Sequence, residues 1–144
     1  MFLTKSLLFP TLSFLTYLNA ESILLLHDGS NIEHTHSKFI NNLKTKNFDI
    51  TIKPADDASL QLMEYGELKY NHLIVLAPNV DEFGGDLSAS KIAQFVDNGG
   101  NILFGLDSRV TDTVRATVSE FGVETDTEET AVIDHFNFSE DFDV

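Results

Sequence analysis

The chain reads as an α/β protein, a doubly wound parallel sheet in a three-layer sandwich, and three observations predict this. Short, almost unbroken apolar runs recur, as in Ser22-Ile-Leu-Leu-Leu-His27 and His72-Leu-Ile-Val-Leu-Ala-Pro78. Such runs mark strands buried on both faces. Segments of helical spacing separate them, so the connections are crossovers and the strands parallel. Turn-forming residues follow the runs, notably Asp28-Gly-Ser30 and Asp81-Glu-Phe-Gly-Gly85, where parallel sheets keep their binding sites.

The elements follow in order. After the first strand, Ser30 and Glu33 fit a capping box. Ile32, His36, Phe39, Ile40 and Leu43 then form one apolar helical stripe. Phe48-Asp-Ile-Thr-Ile52 alternates as a second strand that Pro54 ends. Between Ala55 and Asn71, Leu60, Leu62 and Met63 suggest one helical turn, broken by Tyr65-Gly66. The strand from His72 to Ala77 is third. Ser88 caps a helix through Asn98 with Ala89, Ile92, Ala93 and Val96 inward, stopped by Gly99-Gly100. Asn101-Ile-Leu-Phe-Gly-Leu106 is the fourth strand. Val110, Val114, Val118 and Phe121 give a last helix closed by Gly122, and Thr130-Ala-Val-Ile-Asp134 reads as a fifth strand. The simplest order for this count is flavodoxin-like, 2-1-3-4-5.

The first 20 residues read as a secretory signal peptide: Lys5, an uncharged apolar run from Ser6 to Leu18, then Asn19-Ala20 before Glu21. A retained anchor helix is the rival reading, but the run is shorter than the roughly 20 residues a span needs and Pro10 interrupts it. Residues 21–144 are then one luminal or extracellular α/β domain. With 23 acidic against 9 basic side chains, the net charge is −14. Nucleic acid and direct contact with anionic membrane surfaces are disfavoured, because both draw on clustered Lys and Arg. The absence of cysteine removes thiolate catalysis, disulfides and Cys-based metal sites.

In the assumed order the loops after strands one and three meet, bringing together His27, Asp28, Gly29 and Ser30 with Pro78, Asn79, Asp81 and Glu82. Their carboxylates repel phosphate, and neither Gly-x-Gly-x-x-Gly nor a Walker sequence is present. Ser108 follows strand four without the Gly-x-Ser-x-Gly turn that presents a nucleophile, and reads as the polar residue entering a helix. The class I amidotransferase-like hydrolases share this type of fold but use a cysteine, which is missing here. His34 and His36 are two apart and point to different helix faces, His36 on the apolar stripe. Glu124, Asp126, Glu128 and Glu129 alternate like a calcium loop but lack its glycine. Asp56-Asp57 reads as turn chemistry. Catalytic, cofactor and metal residues are therefore expected to be none, and no cofactor is expected. Asn137-Phe-Ser139 is an N-glycosylation sequon.

Five segments come in a telling order: Ala55-Asp-Asp-Ala-Ser-Leu60, Tyr65-Gly-Glu-Leu-Lys-Tyr70, His72-Leu-Ile-Val-Leu-Ala-Pro78, Asp81-Glu-Phe-Gly-Gly85 and Thr130-Ala-Val-Ile-Asp-His135. Together they resemble the N-terminal domain of the 48 kDa subunit of the oligosaccharyltransferase complex, from about Ile23 to about Asn137. The resemblance implies a non-catalytic, structural subunit of the endoplasmic reticulum complex that moves a preassembled glycan from dolichyl diphosphate to Asn of Asn-x-Ser/Thr. Its implied partners are the other subunits, including a polytopic catalytic one. It implies a single C-terminal membrane span beyond Val144, so that this chain is the N-terminal part of a longer architecture. The alternative is a secreted flavodoxin-like hydrolase or ligand-binding domain using carboxylates such as Asp28 and Asp81.

Overall fold

The computed structural model describes residues 20–29, 31–127, 130 and 136. The leader up to Asn19, the Ser30 half of the capping box, Glu128, Glu129, the fifth strand beyond Thr130 and the sequon asparagine Asn137 lie outside the described residues.

Four strands form one parallel sheet in the order β2-β1-β5-β6: β1 (Ser22–His27), β2 (Asp49–Pro54), β5 (His72–Leu76) and β6 (Asn101–Phe104). This is the order expected of the first four strands, and it reverses direction between β1 and β5. Ile23 to Leu26 and Leu73 to Val75 are buried, as unbroken apolar runs require of central parallel strands. Alternation sends their side chains to opposite faces. Leu24, Leu26, Leu73 and Val75 pack with Ile92 and Phe95 of α3 (Ala89–Asp97) and Val114 of α4 (Asp112–Ser119). Ile23, Leu25 and Ile74 pack on the other face with Ile32 and Ile40. Helices thus cover both faces, and the chain forms three layers.

Four local readings change. The first helix is two pieces, α1 (Ile32–Thr35) and α2 (Ser37–Thr45), broken at His36. The break re-phases the chain so that Ile32, Phe39, Ile40 and Leu43 still face the sheet while His36 is exposed. The expected helical turn near Leu60 is instead a loop running into a hairpin of β3 (Met63–Glu64) and β4 (Glu67–Leu68). Tyr65 and Gly66, both at positive φ (52° and 86°), make its two-residue turn. The inner face of α3 centres on Ile92 and Phe95, with Ala89, Ala93 and Val96 only half-buried. Gly100 leaves room for this arrangement: a Cβ there would overlap the Phe95 ring. Lastly, α4 starts at Asp112, capped by Thr111, which leaves Ser108 in an exposed turn ahead of it.

Candidate functional site

The carboxyl ends of β1, β5 and β6 converge where the strand order reverses, and two clefts open there. One, of about 420 Å³, lies toward β6 and is lined by Asp28, Thr35, His36, Leu106, Asp107 and Arg109 among others. The second, of about 730 Å³, lies toward β2 and gathers His27, Asp28, Asp56, Asn79, Asp81 and Glu82. The loops after the first and third strands therefore meet as the sequence implied. Asp28, Asp81 and Glu82 surround one opening, joined by Asp56, and all four are exposed.

What these loops do is visible in their hydrogen bonds. The Asn79 amide donates to Asp28 Oδ2 at 2.9 Å, tying the third-strand loop to the first. Thr111 donates through Oγ1 to the Val80 carbonyl at 2.7 Å, and Thr113 through Oγ1 to the Asp81 carbonyl at 2.5 Å. The Thr111 amide donates to the Pro78 carbonyl at 3.0 Å. Further along, the Gly84 amide donates to the Ala55 carbonyl at 2.8 Å and the Asp86 amide to the Leu60 carbonyl at 2.9 Å. A Cβ on Gly84 would overlap the backbone of Asp56 and Asp57; one on Gly85 would overlap Leu60, at φ +61°. The segments Ala55–Leu60 and Asp81–Gly85 are thus two halves of one backbone junction, and the paired glycines let the main chains touch.

The remaining candidates take simple places. Asp57 Oδ1 accepts from the amide and hydroxyl of Ser59, both at 2.7 Å, while Lys53 Nζ sits 3.5 Å from Oδ2. The Ser59 hydrogen bonds, with Lys53 assisting, hold the Asp57 carboxyl below its ordinary pKa. This is the turn chemistry expected of the Asp56-Asp57 pair. Arg109 and Asp107, which the sequence reading did not single out, form a forked pair at the rim of the smaller cleft, with Nη2 to Oδ2 at 2.6 Å and Nε to Oδ2 at 3.2 Å. Hydrogen bonding to Arg109 lowers the Asp107 pKa, and the same contact raises that of Arg109, with the Asp28 charge adding to the rise. The signal for this pair was the i, i+2 spacing just beyond a strand. His34 is exposed, and His36 Nδ1 lies 2.9 Å from Thr35 Oγ1. Asp126 offers its carbonyl to Arg115 Nη1 at 3.3 Å. Among the described residues, no three His, Asp or Glu side chains are placed to hold a metal ion.

Fold and site define an α/β domain whose switch-point loops are spent on joining its elements. The sequence profile described as "OST48, N-terminal domain" matches residues 16–144, and the chain belongs to that family. Three relatives carry the name dolichyl-diphosphooligosaccharide–protein glycosyltransferase 48 kDa subunit. That of Drosophila melanogaster is 47% identical over 115 residues, covering 80% of this chain and 26% of the relative. The Danio rerio protein is 46% identical over 115 residues, with the same shares of 80% and 26%. The Caenorhabditis elegans protein is 40% identical over 124 residues, 86% of this chain and 28% of the relative. The chain spans about a quarter of the length of these relatives.

Proposed function

We infer that this chain is the N-terminal luminal part of an accessory, non-catalytic subunit of the oligosaccharyltransferase complex of the endoplasmic reticulum. There it helps assemble the machinery of N-linked glycosylation. The relatives' shared name supports membership of the complex. One observation carries the supporting role: the segments that mark the family, Ala55–Leu60 and Asp81–Gly85, are bound to each other through their backbones. The contact between them is made of backbone packing and backbone hydrogen bonds. A carboxylate hydrolase built on Asp28 and Asp81 finds no support in those names, and Asp28 is engaged by the Asn79 amide.

Residues 1–20 act as a cleaved signal peptide, and Asn137 is a site for glycan attachment. In this reading, attachment to the membrane comes from partner subunits or from a span in the longer architecture; no helix among the described residues is long and apolar enough to cross a bilayer. The test is affinity purification of the tagged protein from cells, together with depletion. Recovery of the polytopic catalytic subunit and lowered glycan occupancy on secreted glycoproteins are expected; full occupancy after depletion, with no subunit recovered, refutes the reading. Intact mass of the secretory product should begin at Glu21 and fall on glycosidase treatment.

A further inference from the structure

Tyr65 stands at the tip of the β3–β4 hairpin with 98% of its surface exposed. Its backbone lies at φ +52°, followed by Gly66 at +86°. A turn of this hand favours Asn, Asp or Gly at the first position, and a bulky side chain there is strained. The other non-glycine residue at positive φ among the described residues is Asn47, a residue suited to that conformation. Tyr65 is therefore unsuited to its turn, and at 98% exposure its ring gains little from packing among the described residues to compensate.

The base of the hairpin is tied to the core. The Lys69 amide donates to the Leu62 carbonyl at 2.9 Å, and Leu62 is 4% exposed. Met63, Leu68 and Tyr70 pack against the main core. A cleft of about 250 Å³ lies beside the tip, between Gly66 and the Lys91 and Gln94 side chains of α3. A fully exposed aromatic beside a small hollow, on a hairpin whose base is tied to the core, has the form of an interface anchor: Tyr is enriched at binding hot spots, and a backbone already ordered has less entropy to lose on docking.

We propose that Tyr65 is the anchor of a protein–protein contact, its ring seating in an apolar pocket of a neighbouring subunit whose rim carries Lys or Arg. The rim follows from charge: Glu67 and Glu64, the latter with Lys69 Nζ 3.8 Å away, flank the turn, and the chain carries −14 overall. The proposal rests on the assembly reading above and specifies one of its contacts. Strain at the turn is kept because the same side chain is used on binding.

Tyr65→Asn separates the two roles, since Asn suits the turn. The tagged wild-type chain, Tyr65→Asn and Tyr65→Phe are compared by thermal melting and by the amounts of oligosaccharyltransferase subunits they recover at stepped concentrations. Tyr65→Asn is expected to melt at the same or higher temperature and to bind roughly tenfold or more weakly, with Tyr65→Phe close to wild type. Equal recovery by wild type and Tyr65→Asn overturns the anchor and leaves the assembly reading standing. A lower melting temperature for Tyr65→Asn assigns the ring to the fold and also overturns it. If the wild-type chain recovers no subunit, the assembly reading fails and the anchor with it.

Discussion

Asp57 illustrates how a residue with the look of chemistry can be fully occupied by geometry. Its carboxylate closes a turn through Ser59 and meets Lys53, and its pKa lies below the ordinary value mainly because the Ser59 hydroxyl donates to it. A carboxyl depressed in the folded state adds stability above its unfolded pKa, and that contribution disappears as pH falls through the folded pKa. The difference in melting temperature between wild type and Asp57→Asn should therefore be steady near neutrality, begin to shrink as pH approaches the ordinary carboxyl value of about 4, and close only below the lowered pKa of the folded state. Ser59→Ala should move the Asp57 titration upward in a carbon-13 NMR pH series. An unmoved midpoint would show that the Ser59 amide and Lys53 set it without the hydroxyl. Arg109 and Asp107 share the same forked form, but both are well exposed, so the pair adds little to stability.

Between strand β5 and helix α3, the Pro78–Leu87 loop makes its own case for the glycines. Gly85→Ala meets the Leu60 backbone and keeps a positive φ, so urea unfolding should show a loss of about 1–3 kcal/mol. Gly29→Ala, in the first-strand loop with open space around it and no positive φ, should change stability by less than ~0.5 kcal/mol. Equal effects at both would remove the backbone-junction argument. Ser88→Ala removes the side chain that accepts from the Lys91 amide at 3.3 Å and should cost about 1 kcal/mol. At this scale the sequence was legible wherever one local rule governs. The apolar runs became the sheet, Ser88 became the cap, and the loops after strands one and three met at the order reversal. It was opaque where a distant partner decides. Phe95 is a main inner residue of α3, and Gly100, outside the helical pattern, leaves space for its ring. Leu62 and Met63 entered a hairpin because Tyr65 and Gly66 both take positive φ, although Tyr65 looked merely like a helix breaker. The ties from Thr111 and Thr113 to Val80 and Asp81 span about thirty residues, and no spacing rule announces them.

The charge of the molecule works against its compactness. The sequence holds 23 acidic and 9 basic side chains. Five of the basic ones already face a carboxylate among the described residues: Lys53, Lys69, Lys91, Arg109 and Arg115. These pairs are mostly solvent-exposed, so each is worth at most about 1 kcal/mol, and screening can remove no more than that. The surplus carboxylates, in contrast, repel one another over distances that salt controls. The screening length falls from about 30 Å at 0.01 M to about 8 Å at 0.15 M, so repulsion across the whole molecule is felt at low salt and largely removed at the higher value. Around the larger cleft, Asp28, Asp56, Asp81 and Glu82 concentrate that repulsion at one end of the sheet. Melting temperature should accordingly rise as sodium chloride is increased over this range, with most of the gain at its lower end. Asp81→Asn and Glu82→Gln, whose side chains close no turn and cap no helix, should each reproduce part of the gain at low salt and show less of it at 0.15 M. A melting temperature that falls with salt would mean the five ion pairs outweigh the surplus acids. The same repulsion would then be too weak to favour a basic rim on the surface that receives Tyr65.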